Sequence, residues 1–303
     1  MIEWGLCCIF REEPIRFRRA TAASLRPLPR PEQLRKLAAL IRSNAENLKK
    51  AFECCAELKI GAFRINSELL MLATHAEAGY RLEELPEAGA LRSLFDEAKR
   101  CADQLGLRRS LHPDQFVVLN SPEPRVRADS RAELEHQLLL AELCGATEIN
   151  LHAGGVYGDK SAALDRLRHE IETLSEPLRR KLTLENDDRS YTPSDLLPLC
   201  RELEIPFTYD VHHHRVNPDH LTIKEATRAA AETWRDRGVP PHVHLSSPQL
   251  PWGVPGDHRP HADWIDPTDF PECWRGMKLT VDVEAKKKET AIAALRNALG
   301  PDF

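Results

Sequence analysis

No stretch of this 303-residue chain approaches the roughly 18 consecutive apolar residues that a membrane-spanning helix requires. Its start, Met1-Ile-Glu-Trp-Gly-Leu6, lacks both the basic opening and the long apolar run of a secretory signal. Together these absences predict a cytoplasmic protein with no membrane partner. Cys-x-x-Cys is also missing. The eight cysteines (7, 8, 54, 55, 101, 144, 200 and 273) include two adjacent pairs, a pattern that suits neither a disulfide framework nor a zinc ribbon. They read as reduced, mostly buried thiols. Positive charge is in slight deficit: 42 Lys and Arg stand against 47 Asp and Glu, a net charge of −5, which by itself weighs against a nucleic-acid binder. No Gly-x-Gly-x-x-Gly follows the first apolar run, so the dinucleotide-binding form of an open α/β sheet is disfavoured. No composition break, short repeat or low-complexity linker divides the chain, and residues 1–303 read as a single domain. With 42% hydrophobic and 29% charged residues, it holds ample material for one large core.

Histidine, by contrast, is plentiful and unevenly placed. Eight of the thirteen (212, 213, 214, 220, 242, 244, 258 and 261) fall within fifty residues. Histidine is the commonest metal ligand and the usual acid–base group near neutral pH, so the cluster marks a candidate site. Short apolar runs alternate with helical periodicity along the whole chain. Strands are predicted at Ile2–Leu6, Ala62–Asn66, Arg109–His112, Glu148–His152, Leu182–Glu185, Phe207–Asp210, Val243–Leu245 and Lys278–Glu284. Helices are predicted at about 32–58, 87–105, 127–144, 160–174, 193–203, 222–236, 267–275 and 286–298. Eight such units predict an α/β fold of (β/α)8 TIM-barrel type, with a doubly wound open sheet as the competing architecture.

Six of the eight predicted strands carry a potential ligand at or beside their C-terminal end: His112, His152, Glu185, Asp210, His244 and Glu284. In a closed barrel those ends converge on the face that carries active sites. One such residue has an ordinary explanation as a helix cap or a hydrogen-bonded core histidine. Six at equivalent positions need a common one. Imidazole and carboxylate without thiolate suit Zn²⁺ or Mn²⁺. Six donors exceed what one catalytic zinc needs, which implies at least two metals bridged by a carboxylate, an arrangement suited to phosphoryl displacement. Beyond the strands, His212-His213-His214 and His258 to Asp263 offer further ligands. If the triple histidine is extended, alternate side chains point opposite ways; His213 is then the favoured ligand, His261 the better candidate in the following loop, and His258 and Asp263 weaker. The segment Arg11–Pro31 carries Arg11, Arg16, Arg18, Arg19, Arg26 and Arg30 and reads either as a solvated loop or as a phosphate-contacting arm.

The strings Leu111-His-Pro-Asp-Gln-Phe116, His152-Ala-Gly-Gly-Val-Tyr-Gly158, Leu184-Glu-Asn-Asp-Asp-Arg189, Tyr209-Asp-Val-His-His-His214, Val243-His-Leu-Ser246 and Val283-Glu-Ala-Lys286, in this order, resemble the UV damage endonucleases. The resemblance runs from Gly5 to about Glu289. It implies a barrel similar to endonuclease IV, a cluster of two or three divalent ions, usually Mn²⁺ with Zn²⁺, Mg²⁺ or Co²⁺ as options, and nicking of UV-damaged double-stranded DNA immediately 5′ to photoproducts. It implies no obligate protein partner. Carried over by position, His112, His152 and Glu185 would hold one metal, and Glu185, Asp210, His244 and Glu284 a second. His213 and His261 would serve a third. Lys286 would contact phosphate or the leaving oxygen, and His75 matches an active-site histidine found in part of the family. Gln115 and Phe116 would form a wedge at the lesion. Leu6 stands where some members carry a lesion-contacting tyrosine, and Arg64 and Asn186 would make DNA-backbone or ligand-supporting contacts. His242 replaces a modifiable lysine of some members. The main alternative is a metal-dependent sugar isomerase of the same barrel group; a binding protein without chemistry fits a full ligand set poorly.

Overall fold

In runs of four to six residues such as Leu182-Thr-Leu-Glu185, the β-branched and apolar content favours pleated backbone. In the computed structural model, which describes residues 1–300, eight of them form strands: β1 Ile2–Cys7, β2 Ala62–Ile65, β3 Arg108–Leu111, β4 Glu148–His152, β5 Leu182–Glu185, β6 Phe207–Asp210, β7 His242–Leu245 and β8 Leu279–Val283. All neighbours pair in parallel, and β8 returns to β1 with Ile2 opposite Leu279 and Gly5 opposite Asp282, which closes the barrel. The open-sheet alternative is thereby excluded, and the fold is the expected TIM barrel.

Ten helices are described: α1 Ala22–Leu25, α2 Arg30–Glu57, α3 Ala88–Gln104, α4 Pro124–Cys144, α5 Lys160–Thr173, α6 Glu176–Lys181, α7 Pro193–Glu202, α8 Val211–Val216, α9 Ile223–Glu232 and α10 Lys288–Leu299. They start and stop for readable reasons. Thr192 and Thr222 form capping boxes with Asp195 and Glu225. Gly145, at φ 72°, ends α4 in the left-handed conformation that glycine tolerates. In α2, Leu37, Ile41, Leu48, Phe52 and Cys55 recur at helical spacing and are fully buried. The helix predicted over 267–275 is instead two 3₁₀ turns, Pro267–Asp269 and Glu272–Trp274. Pro271 between them removes the amide a continuous helix would need. All eight cysteines are free thiols, five of them buried.

Alternation along the strands divides two environments. Leu111, Ile149, Leu151, Leu182, Leu184, Phe207, Tyr209, Val243 and Val281 are buried in the apolar core. The residues between them are polar and meet one another across the strands. Thr208 Oγ1 donates to Thr183 Oγ1 at 3.1 Å, Thr183 Oγ1 to Asn150 Oδ1 at 2.8 Å, and Arg108 Nη1 to Thr280 Oγ1 at 2.7 Å. A barrel interior is ordinarily filled with branched aliphatics. Here it is a hydrogen-bonded polar column, and its upper end is the site.

Candidate metal centre

The column begins at Arg108, whose Nε donates to Glu148 Oε1 at 2.8 Å. Glu148 Oε2 lies 2.7 Å from His242 Nδ1, and His242 Nε2 lies 3.1 Å from Asp282 Oδ1. Asp282 accepts from Arg64 Nε at 3.0 Å. The Arg64 guanidinium then reaches Glu284 Oε1 at 2.6 Å and His244 Nε2 at 2.9 Å. A Cβ on Gly5 would overlap Asp282 Oδ1, so glycine at that point of β1 makes room for the carboxylate. Burial would raise the carboxyls of Glu148 and Asp282. Arg108 and His242 together outweigh it at Glu148, which is lowered to about 2, and His242 with Arg64 outweighs it at Asp282.

Above this support, Glu185 at the end of β5 occupies the centre. Its Oε2 is 3.0 Å from His112 Nε2 and 4.0 Å from His152 Nε2, and it also accepts from Asn150 Nδ2. Its Oε1 is 3.0 Å from His244 Nδ1 and 3.3 Å from His213 Nδ1. One carboxylate therefore turns each oxygen to a different group of donors. Two of those groups, His112–His152–Glu185 and Glu185–Asp210–His213, have ligand atoms close enough to share an ion. His244 Nδ1 also lies 3.6 Å from Glu284 Oε1 and 3.9 Å from Asp210 Oδ2, and His261 Nδ1 lies 3.6 Å from Glu284 Oε2. A third group, His242–His244–Asp282, is equally compact, but the Arg64 guanidinium already bonds both His244 and Asp282, which makes it a poor seat for a second cation.

The electrostatics favour a cation in the first two groups. Asp210 is fully buried; its Oδ1 accepts from the His213 amide at 2.7 Å while Oδ2 has no hydrogen-bond partner. A buried carboxylate oxygen left without a partner costs several kcal/mol, roughly, unless a cation meets it. Burial alone would raise the Glu185 carboxyl. The facing imidazoles of His244 and His152, with hydrogen bonds from His112 and His213, hold it well below the usual range. Burial pushes His152 down to about 3, which leaves its ring neutral with a lone pair to donate. Nitrogen and carboxylate oxygen donors without thiolate fit Mn²⁺, Zn²⁺ or a similar divalent ion.

The triple histidine is not extended as expected: Val211–Val216 is helical, with Asp210 as its N-cap. Helical rotation splays the three rings. His213 faces Glu185 and Asp210, His214 bonds Tyr209 and Asp219, and His212 Nε2 lies 3.3 Å from the Arg259 carbonyl. Other predicted residues are placed differently from one another. Gln115 and Phe116 are exposed on the loop after His112, Phe116 at 78%. Lys286 is exposed, with its amine 3.1 Å from Gln249 Oε1. His75 uses Nδ1 to accept the amides of Glu77 and Ala78 in a turn, and none of its hydrogen bonds reaches the cluster. Leu6 is a correction: it is fully buried in the apolar core and offers no surface to DNA. Arg64 and Asn186 are also inaccessible as DNA contacts. Arg64 is committed to Asp282, Glu284 and His244, and Asn186 bonds the backbone of Asp210 through both amide atoms. Of the arginine-rich segment, Arg16 donates to the carbonyls of Phe10, Glu13 and Ile15, while Arg19, Arg26 and Arg30 pair with Glu68, Glu77 and Glu84. Of the six, only Arg11 and Arg18 keep exposed guanidiniums without a partner among the described residues.

Sequence reading missed Glu148, Asn150 and Asp282. A signal existed: each stands two or four residues before a strand-end ligand and so shares its face of the strand.

The fold and site define a TIM barrel with a candidate divalent-metal centre at the C-terminal ends of its strands. Within that class, residues 4–301 match the UV-endonuclease UvdE family, and the chain belongs to it. It is 30% identical over 288 residues to the UV DNA damage endonuclease of Bacillus cereus strain G9842, covering 92% of this chain and 88% of that one. The corresponding protein of Bacillus velezensis is 30% identical over 289 residues, covering 91% and 86%. In structure it is similar to SacUVDE, with TM-score 0.85, 24% identity and coverage of 99% and 98%. Endonuclease IV from Thermus thermophilus shares the fold more distantly, with TM-score 0.56, 17% identity and coverage of 83% and 94%.

Proposed function

We propose that this chain is a divalent-metal-dependent endonuclease that hydrolyses the DNA phosphodiester immediately 5′ to UV photoproducts, leaving a 3′-hydroxyl and a 5′-phosphate and so opening excision repair. The substrates proposed are cyclobutane dimers and 6-4 photoproducts, with abasic sites as a further class. The observation that carries the metal-dependent part is the division of Glu185, one oxygen toward His112 and His152 and the other toward His213 and His244. Family membership carries the damaged-DNA part.

Bound there, two or three Mn²⁺ ions, or another divalent metal, would neutralise the scissile phosphate and supply the Lewis acidity for its hydrolysis. Glu185 is proposed as the bridging ligand, His112 and His152 on one side and Asp210, His244 and Glu284 on the other, with His213 and His261 toward a third position. Arg64, Asn186 and Asn150 orient these ligands. Lys286 extends a positive charge from the loop after β8 to the phosphate side of the cleft. Gln115 and Phe116 fill the gap left when a damaged dinucleotide leaves the stack, a step that selects for deformable DNA rather than for base sequence. His75 is retained as a candidate for substrate contact through its free ring edge. A sugar isomerase would have little use for a phenylalanine 78% exposed on the loop that follows the candidate ligand His112.

The deciding experiment is an end-labelled nicking assay on duplexes with and without a single defined photoproduct, with Mn²⁺. Cleavage 5′ to the lesion alone is expected. Equal cleavage of both duplexes, or none with any divalent metal, overturns the reading.

A further inference from the structure

The five tryptophans divide sharply. Trp4, Trp234 and Trp274 are buried, and the indoles of the last two donate to the Phe207 carbonyl and to Thr227 Oγ1. Trp252 is 38% exposed but held: its indole N–H donates to Asp269 Oδ1 at 2.8 Å, and its ring centroid lies 5.1 Å from that of His258 and 5.8 Å from that of His212. Trp264 is 47% exposed and has no hydrogen bond, ion pair or ring partner among the described residues.

The backbone carrying Trp264 is nevertheless fixed. The Ala262 amide donates to the Ser247 carbonyl at 2.8 Å, and the Asp266 amide to Ser247 Oγ at 2.9 Å. The amides of Lys286 and Lys287 donate to the carbonyls of Ala262 and Asp263 at 3.1 and 3.0 Å. Thus a segment whose backbone is hydrogen-bonded to Ser247, Lys286 and Lys287 presents a free indole three residues after His261. Its place in the barrel is also specific. Trp264 belongs to the connection after β7 and Phe116 to the connection after β3, four strands apart in a closed ring of eight. The two most exposed aromatic rings of the strand-end connections are thus carried by connections that leave the ring of strands at opposite points.

We propose that Trp264 is a stacking contact for a base or deoxyribose of the DNA, on the side of the metal centre opposite Phe116. This rests on the endonuclease reading and adds to it a second point of attachment. A free aromatic face on a fixed segment of the strand-end face suits a nucleic-acid strand, whose bases stack on aromatic rings. Two anchors across the cluster hold the intervening phosphodiester over Glu185.

The buried tryptophans supply a constant background, so indole emission reports the contact directly. A duplex with one cyclobutane dimer is titrated into the protein, with binding followed independently by anisotropy of a labelled strand. Emission of the parent chain is expected to fall as the complex forms. Trp264→Phe should abolish most of that fall and keep affinity within about two-fold, because a phenyl ring still stacks. Trp264→Ala should weaken binding roughly ten-fold and raise KM by more than it lowers kcat. Parental affinity in Trp264→Ala, or a fall in emission that survives in Trp264→Phe and vanishes in Trp252→Phe, overturns the assignment. A protein-concentration-dependent change in Trp264 emission without DNA would place the indole between two copies of the chain and overturn it as well. If the parent chain binds neither damaged nor undamaged duplex, the endonuclease reading itself falls, an outcome distinct from the others.

Discussion

Arg64 Nη1 lies 2.6 Å from Glu284 Oε1, and this ion pair is the point where the polar interior of the barrel meets the candidate metal centre. Arg64 holds Glu284 and His244 together and is itself held by Asp282. Burial opposes the ionised form of Glu284, and Arg64 is the largest influence that restores it. Replacing Arg64 with alanine removes the strongest counter-charge at Glu284 and leaves Asp282 with His242 alone, at a cost of about 3–5 kcal/mol. Arg64→Ala is expected to unfold at lower denaturant concentration and to retain less manganese after gel filtration. Parental metal content would show that Arg64 does not position the ligands.

Glu185→Ala removes the one residue shared by both groups of donors. Bound manganese, counted by elemental analysis, and nicking of damaged duplex should disappear together. Glu185→Gln should keep the fold and still lose most of the metal, since a neutral amide cannot bridge two cations as a carboxylate does. Full activity in either variant would remove Glu185 from the bridging role.

Phe116 is exposed and is not part of the apolar core. Phe116→Ala should leave thermal stability within about 0.5 kcal/mol of the parent. Its nicking of photodimer duplex should fall at least roughly ten-fold, in keeping with the loss of one aromatic stacking contact. Metal content should not change. An unchanged rate would exclude the wedge role.

The start of the arginine-rich segment is tied down by a single side chain. The Glu289 carboxylate accepts the amides of Arg11, Glu12 and Glu13 at 2.7–3.4 Å, and Glu289 is buried in the first turn of α10. Glu289→Ala frees those donors and is expected to cost about 1–3 kcal/mol. Limited proteolysis should then cut within 11–31 faster than in the parent, and DNA affinity should fall as Arg11 loses its position. Glu289→Gln, which keeps one acceptor oxygen, should recover part of both effects.

Acid stability should depend on Glu148. Its folded carboxyl is lowered to about 2 against an ordinary value of 4.5, chiefly because Arg108 and His242 outweigh burial. A depressed carboxyl contributes stability that is complete above its unfolded value and is lost as pH falls through the folded one. His242 is raised, so its contribution is complete below about 6.5 and fades as pH rises past its folded value. The pair therefore contributes most between about 4.5 and 6.5. Urea unfolding of the parent and of Glu148→Gln should differ by about 3 kcal/mol in that window and converge toward pH 2. A constant difference across pH would show that the carboxylate charge is not what stabilises the column.

The barrel was legible because periodicity is a local property: eight short apolar runs separated by helical patterns admit few other closures. The ligands were legible for a related reason, since parallel strands bring all their C-terminal ends to one face and His112, His152, Glu185, Asp210, His244 and Glu284 each stand at such an end. The triple histidine was misread as extended because Asp210 both ends β6 and caps α8, and a six-residue helix leaves too little periodicity to detect. Leu6 was misplaced because the side of the barrel wall a strand residue faces depends on register, which no single strand reveals.

The sequence by itself determined the alternation of strands and helices and the residue types gathered at the strand ends, since both follow from local spacing. Only the tertiary structure decided that Glu185 turns one oxygen to each group of donors, that Arg64 serves Glu284 rather than DNA, and that Trp264 is left exposed on a segment tied to the residues after β7 and β8. These are relations between residues far apart in the chain, and barrel closure, driven by burial of the apolar faces of the strands against the helices, is what brings them within reach.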